Sequence, residues 1–280
     1  MKEWTAILLL APMIALGQGI PEVHFNHLYY FVEPADFKSI TESAFVKDTL
    51  CAVETRADST ATYLFGPSSY LELFHTAGHD SLLGFSGIAL SVDGIGDLES
   101  LRGGLYTESK PPIRTIQRVV EGQKIAWFDA LAIGSDSTFH AHSRVFLWIM
   151  EYRTEYFEHK KYAIIDQRLT RERYLQGYAP TRAGKILKRL TGVVMRLSSD
   201  EKAYMVRLFK NLGYRPSGED SYLTPDDFRF LFKERVPGDR NALESVEFET
   251  AVGFPERTMV KISDSVLVVL SENEGHIMFK

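Results

Sequence analysis

The chain has 280 residues, a formal net charge of −5 and 45% hydrophobic residues, a composition typical of globular proteins. The acidic balance argues against a protein that binds nucleic acid through overall charge, and the single cysteine, Cys51, excludes an internal disulfide. After residue 17 no apolar run is long enough to span a membrane, so we expect no membrane anchor there.

The first residues have the pattern of a cleavable secretory signal. Lys2 provides a positive charge, residues 6–16 are mostly apolar, and the small residues Ala15 and Gly17 precede a cut before Gln18. The run is too short for a spanning helix. We therefore expect residues 1–17 to be removed and the protein to be secreted or periplasmic, with a buried N-terminal helix as the alternative.

Three apolar segments begin alike, and each is followed by a helical pattern. They cover residues 25–33, 85–93 and 190–198. Pro34 suits the first position of a helix, and Asp97 starts a shorter helix. Ser198 and Glu201 have the spacing of a capping box. The sequence thus predicts a strand followed by a helix, three times over.

Short apolar runs after each helix predict further strands. They lie at residues 50–55, 61–65 and 70–74, at 113–120, 124–131 and 145–152, and at 228–232, 246–250, 259–262 and 266–270. The order β-α-β-β-β, repeated, predicts an α+β fold of curved, mostly antiparallel sheets built from βαβββ modules.

The domain plan follows from this order. Residues 18–152 form two paired modules, residues 153–188 a helical insertion, and residues 189–280 a third module with extra C-terminal strands. Either the extra strands complete a degenerate fourth module, or the third module packs as an appendage.

Two short motifs resemble the vicinal oxygen chelate superfamily, which includes glyoxalases, bleomycin-resistance proteins and dioxygenases. One motif is residues 27–32, His-Leu-Tyr-Tyr-Phe-Val, and the other is residues 70–74, Tyr-Leu-Glu-Leu-Phe. Residues 84–93, 126–128 and 148–152 are similar to the second module of glyoxalase-like domains. The resemblance implies paired modules that curl into a half-barrel around a site.

The resemblance also implies positions for metal ligands, on the first and fourth strands of paired modules. His27 and Glu72 occupy those positions in the first module. The first-strand position is Gly87 in the second module and Gly192 in the third, and glycine has no side chain to bind a metal. The alternative for His27 and Glu72 is a structural role in hydrogen bonding.

A stable metal site usually needs at least three protein ligands. The candidates for the third are Glu151, which could also be a general base, and His140 and His142, whose surroundings indicate a solvated loop. On the last strand of the second module, either Trp148 or Glu151 faces the site, because a one-residue slip exchanges the two faces of a strand. Imidazole with carboxylate would suit one divalent transition metal, such as zinc, iron, nickel or manganese.

Several signatures of common enzymes are absent from the sequence. It has no Gly-x-Ser-x-Gly elbow, no His-Glu-x-x-His, no phosphate-binding loop and no dinucleotide fingerprint, which argues against common hydrolases, zinc proteases, NTPases and nicotinamide enzymes. Residues 153–190 hold ten Lys and Arg against four Asp and Glu. This stretch is either a solvated helical face or a basic rim that attracts an anionic ligand.

Three functions remain open. The first is binding of a small ligand, which can be anionic, in a sheet pocket lined by the aromatic residues Tyr29, Phe31, Tyr70, Phe74 and Trp148. The second is a metal-dependent lyase, isomerase or dioxygenase that uses His27 and Glu72. The third is a non-catalytic interaction module of the cell envelope. Gly87 and Gly192 favour binding without a metal, and whether the protein is an enzyme stays open.

Overall fold

A computed structural model describes residues 20–134 and 143–280 of the chain. The predicted signal segment, residues 1–17, and the candidate ligands His140 and His142 lie outside the described residues. No helix within the described part is long and apolar enough to cross a membrane. The fold is α+β, with two mixed, mostly antiparallel sheets, as predicted.

The first sheet contains two modules of the predicted kind. The first module is β1 (His24–Val32), α1 (Pro34–Glu42), β2 (Ala52–Thr55), β3 (Ala61–Phe65) and β4 (Tyr70–His75). The second is β5 (Ser86–Ser91), α2 (Asp97–Leu105), β6 (Ile113–Val120), β7 (Gln123–Ala132) and β8 (Val145–Tyr152). The strand order is β2-β3-β4-β1-β5-β8-β7-β6. In each module the first strand is parallel to the last, and β1 joins β5 antiparallel.

The second sheet repeats this plan once and then departs from it. It contains β9 (Leu187–Leu197), α6 (Ser199–Asn211), β10 (Arg215–Gly218), β11 (Ser221–Leu223), β12 (Arg229–Glu234), β13 (Leu243–Lys261) and β14 (Val266–Phe279). The order is β10-β11-β12-β9-β13-β14. β13 pairs antiparallel with β9, as β5 does with β1. The C-terminal strands therefore extend the sheet from the position that a fourth module's first strand would take.

Three short helices lie between the two sheets in sequence. They are α3 (Thr154–His159), α4 (Arg171–Leu175) and α5 (Ala179–Arg182), with a 3₁₀ turn at Gln176–Tyr178. Another short helical segment, a π-helical turn at Phe45–Leu50, replaces the start of the strand predicted at residues 50–55. The strands predicted at residues 246–250 and 259–262 are one strand, β13, because β14 pairs along both parts across two register shifts.

Local signals explain where the principal helices begin. Pro34 occupies the first turn of α1, which buries Phe37 and Ile40. Ser198 and Glu201 form the predicted capping box at the start of α6, so two N–H groups are satisfied reciprocally.

Two clusters of apolar side chains form the core of the molecule. The larger cluster joins residues of both sheets with α1, α2 and α6, and includes Leu28, Ile88, Phe209 and Phe230. The second cluster lies on the opposite side of the first sheet, where the inserted helices pack on its strands. We call this side, which carries His27, Tyr29 and Trp148, the inner face, and the side that carries Leu28 and Ile88 the outer face.

Candidate functional site

Strand register places His27 and Glu72 on the same face of the first sheet. Between the parallel strands β1 and β4, His27 is opposite Tyr70 and Tyr29 is opposite Glu72. Registered neighbours point to the same side of a sheet, so these four side chains share the inner face. His27 and Glu72 are both buried.

His27 is a neutral imidazole enclosed by other side chains. Its Nδ1 donates a hydrogen bond to Asn26 Oδ1 at 2.9 Å. Its ring stacks on Tyr70 with the centroids 4.4 Å apart and meets the edge of Trp148 at 5.3 Å. Burial lowers the pKa of His27 to about 3, because a protonated ring would lose its hydration. The imidazole is therefore uncharged at neutral pH.

Glu72 is held by an arginine. Its Oε1 accepts a hydrogen bond from Arg56 Nη2 at 2.7 Å, and Tyr63 also hydrogen-bonds to it. Burial raises the pKa of Glu72, and the Arg56 charge opposes that shift. The Arg56 guanidinium lies 5.3 Å from the ring centroid of Phe74. The structure thus brings His27 and Glu72 to one face, where each has a partner of its own.

The first-strand position of the second module is filled by an aromatic ring. A Cβ added to Gly87 would lie 2.1 Å from the ring of Tyr29, its registered neighbour on β1. Gly192, the corresponding position of the third module, is covered by Glu247, whose Oε2 would lie 2.5 Å from an added Cβ. Each glycine therefore leaves room for a large side chain from the next strand.

Glu151 lies apart from this group, which corrects its expected role beside His27 and Glu72. Its two carboxylate oxygens accept hydrogen bonds from the backbone N–H groups of Gly96 and Leu98, each at 2.8 Å. Glu151 thus caps the start of α2 on the outer face, where a carboxylate also complements the helix dipole. The register of β8 puts Trp148, whose ring contacts His27, on the inner face.

The described residues do not fit a metal centre. Among residues 20–134 and 143–280, no group of three or more His, Cys, Asp and Glu side chains is placed to hold a metal ion. His27 and Glu72 alone are fewer than the three protein ligands that a stable site usually needs.

A cavity of about 430 Å³ opens on the inner face of the second module. Tyr29 and Trp148, two of the five predicted ligand-binding residues, line it. The other described lining residues are Pro111, Pro112, Arg114, Ile116, Phe128, Ala130, Ala132 and Phe146. We call it the aromatic cavity after the four aromatic rings in its wall, and its volume and largely apolar wall are those of a small-molecule pocket.

Of the other predicted binding residues, Phe31 and Phe74 pack against Tyr29 of this wall, whereas Tyr70 stacks on His27 and does not line the cavity. Phe31 stacks on Phe74 with centroids 5.1 Å apart, and Tyr29 meets both rings within 6 Å. They support Tyr29, whose ring stacks on Trp148 at 5.4 Å. Phe128, Ala130 and Ala132 are every second residue of β7 and therefore share one face of the sheet. This spacing was the sequence signal that could have identified the β7 part of the cavity wall.

Arg114 is the one charged side chain among the described residues of the cavity wall. It lies on β6, is exposed, and forms no ion pair with a carboxylate of the described residues. A guanidinium beside an apolar wall can pair with a carboxylate or another oxyanion in bidentate fashion. The cavity can therefore hold an apolar body and one negative group.

Comparison with known proteins identifies a family. Residues 25–279 match a family of unknown function (DUF5829). The chain belongs to this family. No curated protein matches the chain.

Two solved structures are similar to the chain in part. One is a xylose isomerase-like TIM barrel/4-hydroxyphenylpyruvate dioxygenase fusion protein, at 13% identity and a TM-score of 0.44, over 79% of this chain and 34% of that one. The other is a triple mutant of 4-hydroxymandelate synthase from Streptomyces coelicolor, at 15% identity and a TM-score of 0.42, over 79% of this chain and 66% of that one. The chain thus spans about a third of the first protein and just under two thirds of the second.

Proposed function

We propose that the protein is a glyoxalase-like member of the vicinal oxygen chelate superfamily that binds a small, mainly apolar ligand with one anionic group. The superfamily assignment is supported by the paired βαβββ modules, in which the first strand runs parallel to the last. The binding proposal rests on one observation, which is the aromatic cavity with Arg114 at its wall.

The chemistry of the cavity selects the ligand class. The rings of Tyr29, Phe128, Phe146 and Trp148 provide flat apolar surface that favours an aromatic or aliphatic body. Arg114 supplies the only formal charge among the described lining residues, and it is positive. A carboxylate on the ligand would gain a charge-assisted hydrogen bond there, whereas an ammonium group would be repelled.

A thermal-shift panel tests this proposal. The panel pairs acids with neutral analogues of similar size, namely 1-naphthoate with 1-naphthalenemethanol, and octanoate with 1-octanol. We expect the melting temperature to rise more with the acids than with their analogues, since a ligand that binds only the folded state stabilises it.

Two substitutions control the experiment. Arg114→Gln should remove the preference for the acids, whereas Lys124→Gln on the neighbouring strand β7 should keep it, because the exposed Lys124 lies outside this cavity. Equal shifts for acids and analogues in the native protein would contradict the anionic part of the proposal. No shift with any compound would favour the interaction module instead.

The metal-dependent lyase, isomerase or dioxygenase is the less supported alternative. It requires a third ligand beside His27 and Glu72, and Glu151 caps α2. We expect Zn²⁺, Mn²⁺ or Fe²⁺ to leave the melting temperature of the purified full chain unchanged. A rise that disappears in a His27→Gln variant, and a stoichiometric metal content by mass spectrometry, would revive that alternative and direct attention to His140 and His142.

We also propose that the protein is exported. The support is the pattern of Lys2, the apolar residues 6–16 and the small residues Ala15 and Gly17. Expression in a bacterium should yield a processed chain outside the cytoplasm that begins at Gln18, as measured by intact mass. A full-length chain retained in the cytoplasm would contradict this proposal.

A further inference from the structure

A second cavity, of about 310 Å³, lies at the other end of β6. Its wall combines β6 with the inserted helices, and four tyrosines face it: Tyr156, Tyr162, Tyr174 and Tyr178. We call it the tyrosine pocket. It shares no lining residue with the aromatic cavity described above.

Arg118 is the central cation of the tyrosine pocket. Its Nη1 donates to the hydroxyl of Tyr174 at 3.5 Å, and it hydrogen-bonds to Tyr156. Its guanidinium carbon lies 4.9 Å from the ring centroid of Trp127. These contacts fix the guanidinium in place without neutralising it.

Arg118 has no ion pair with any carboxylate of the described residues, in contrast to Arg56, which pairs with Glu72 on the same face. Lys160, a second cation of the pocket wall, also has no ion pair there. A partly buried cation without a counter-ion is costly, and an incoming anion can remove that cost.

The tyrosines supply further hydrogen-bond donors. Burial raises the pKa of Tyr156, Tyr174 and Tyr178, so their phenols keep their protons at neutral pH. A phenol can donate to an oxyanion while its ring excludes water. Phenol and guanidinium groups together are suited to the tetrahedral or planar oxygens of phosphate, sulfate or carboxylate.

Two carboxylates also face the pocket, and their negative charge is expected to lower its affinity for an anion. Glu54 is exposed at the rim and accepts a hydrogen bond from the Tyr178 hydroxyl, while Glu121 lies in the exposed turn after β6. The charge of Glu72 is also felt at Arg118, although Arg56 holds that carboxylate. Glu54 and Glu121 would repel an oxyanion but would attract the amine of a zwitterion.

We propose that the tyrosine pocket is a second binding site, which takes a small oxyanion group between Arg118, Lys160 and the hydroxyls of Tyr156 and Tyr174. The site is independent of the ligand proposed for the aromatic cavity. It also accounts for part of the basic stretch of residues 153–190, since Lys160 belongs to both.

Trp127 offers a direct readout, because it lies under Arg118. In a full-length variant with Trp4 and Trp148 replaced by Phe, we expect a saturable change in emission on titration with inorganic phosphate. Glycerol 3-phosphate and acetate form two further arms, which separate a free ion from a phosphate ester and from a carboxylate. Isothermal titration calorimetry on the native chain gives an independent affinity.

Three substitutions test the site, and a fourth serves as the control. Arg118→Gln should weaken phosphate binding about tenfold or more, and Tyr174→Phe should weaken it less, because only one neutral donor is lost. Glu54→Gln should tighten binding by roughly threefold, because a nearby like charge is removed. Arg114→Gln, in the other cavity, should leave the phosphate affinity unchanged.

The result can overturn the proposal in several ways. Absence of binding in all three arms would do so, as would an affinity that Arg118→Gln and Tyr174→Phe leave unchanged in folded protein. A weaker affinity for phosphate in Glu54→Gln would mean that Glu54 does not act as a repelling like charge at the pocket, which also contradicts the oxyanion proposal. Circular dichroism of each variant checks that it is folded.

Discussion

The buried imidazole of His27 gives the folded state a defined pH response. The folded protein does not protonate His27 until its lowered pKa of about 3, whereas the unfolded chain does so near 6.5. Between these values the unfolded state binds more protons, so the free energy of unfolding falls as pH falls. From about pH 7.5 to pH 5 we expect a loss of roughly 2 kcal/mol from His27 alone.

Urea unfolding at several pH values measures this loss. A His27→Gln variant should lack that part of the slope, and the variant of an exposed histidine, His79→Gln, should retain it. Glu72 acts in the opposite direction, because its pKa is raised in the folded state. Both histidine variants retain Glu72, so its effect cancels in the comparison, and equal slopes in both variants would contradict the assignment.

Gly87 is required by the ring of Tyr29 that covers it. Gly87→Ala should destabilise the fold by about 1–3 kcal/mol, since the added methyl group meets that ring. Gly103→Ala is the control, because its Cβ would meet only Lys110 Nζ at 3.8 Å within a helix, where alanine is favourable. In a Tyr29→Ala background the cost of Gly87→Ala should shrink, and an unchanged cost would show that the two residues are not coupled.

At the level of single residues, the resemblance to the superfamily placed His27 and Glu72 at positions that the structure brings to one face. It could not predict their partners, because Arg56 and Asn26 reach them through side-chain conformations that no spacing encodes. The choice between Trp148 and Glu151 depended on the register of β8, which only the finished sheet determines. Gly87 carried the clearest signal, because it indicated that no side chain fits at this position. The reason, the ring of Tyr29 that covers it, is visible only in the structure.

At the level of elements, the inserted helices cover part of the inner face of the first sheet. Tyr174 of α4 stacks on Tyr152 of β8 with centroids 4.6 Å apart, and Tyr178 stacks on Phe65 at 3.9 Å. These contacts fill one end of the inner face and leave the aromatic cavity at the other. The insertion therefore determines which part of the sheet remains open to a ligand.

Arg171 fastens the insertion to both sheets. Its Nη1 donates to the carbonyl of Phe25 at 2.6 Å and to Asp226 at 3.0 Å, and the residue is 3% exposed. Arg171→Leu should cost about 3 kcal/mol or more in urea unfolding, because it removes the buried partner of the Asp226 carboxylate and a donor to the buried Phe25 carbonyl.

An exposed ion pair provides the control for Arg171. Arg189, half exposed, pairs with Glu249 at 2.7 Å, and Arg189→Leu should cost about 1 kcal/mol or less. Equal costs for the two substitutions would mean that Arg171 does not anchor the insertion.

Local signals predicted the elements better than their packing. The capping box at Ser198 and the repeated strand-helix starts were read correctly because they depend on neighbouring residues. The sequence predicted two strands where β13 is one, because its mostly exposed middle, residues 251–258, lacks an apolar pattern and is held by pairing with β14. The docking of the insertion depends on contacts between Tyr152 and Tyr174, which no local signal reports.

In both sheets, a glycine on the first strand of a module is covered by a side chain from the adjacent strand. Gly87 is registered with Tyr29 in the first sheet, and Gly192 with Glu247 in the second. Glu247 forms an ion pair with Arg229 at 2.6 Å, so the position in the second sheet is closed by charges. An aromatic ring therefore covers Gly87, whereas a charged pair covers Gly192. The apolar cavity accordingly lies in the first sheet, beside the ring.

The most direct test of the account measures Trp148 itself. In a variant with Trp4 and Trp127 replaced by Phe, titration with 1-naphthoate should change the Trp148 emission saturably, at one site per chain. Arg114→Gln should weaken this binding about tenfold, because the charge-assisted hydrogen bond is lost. An emission that does not respond, or an affinity that Arg114→Gln leaves unchanged, would contradict the claim that this cavity binds an apolar anion.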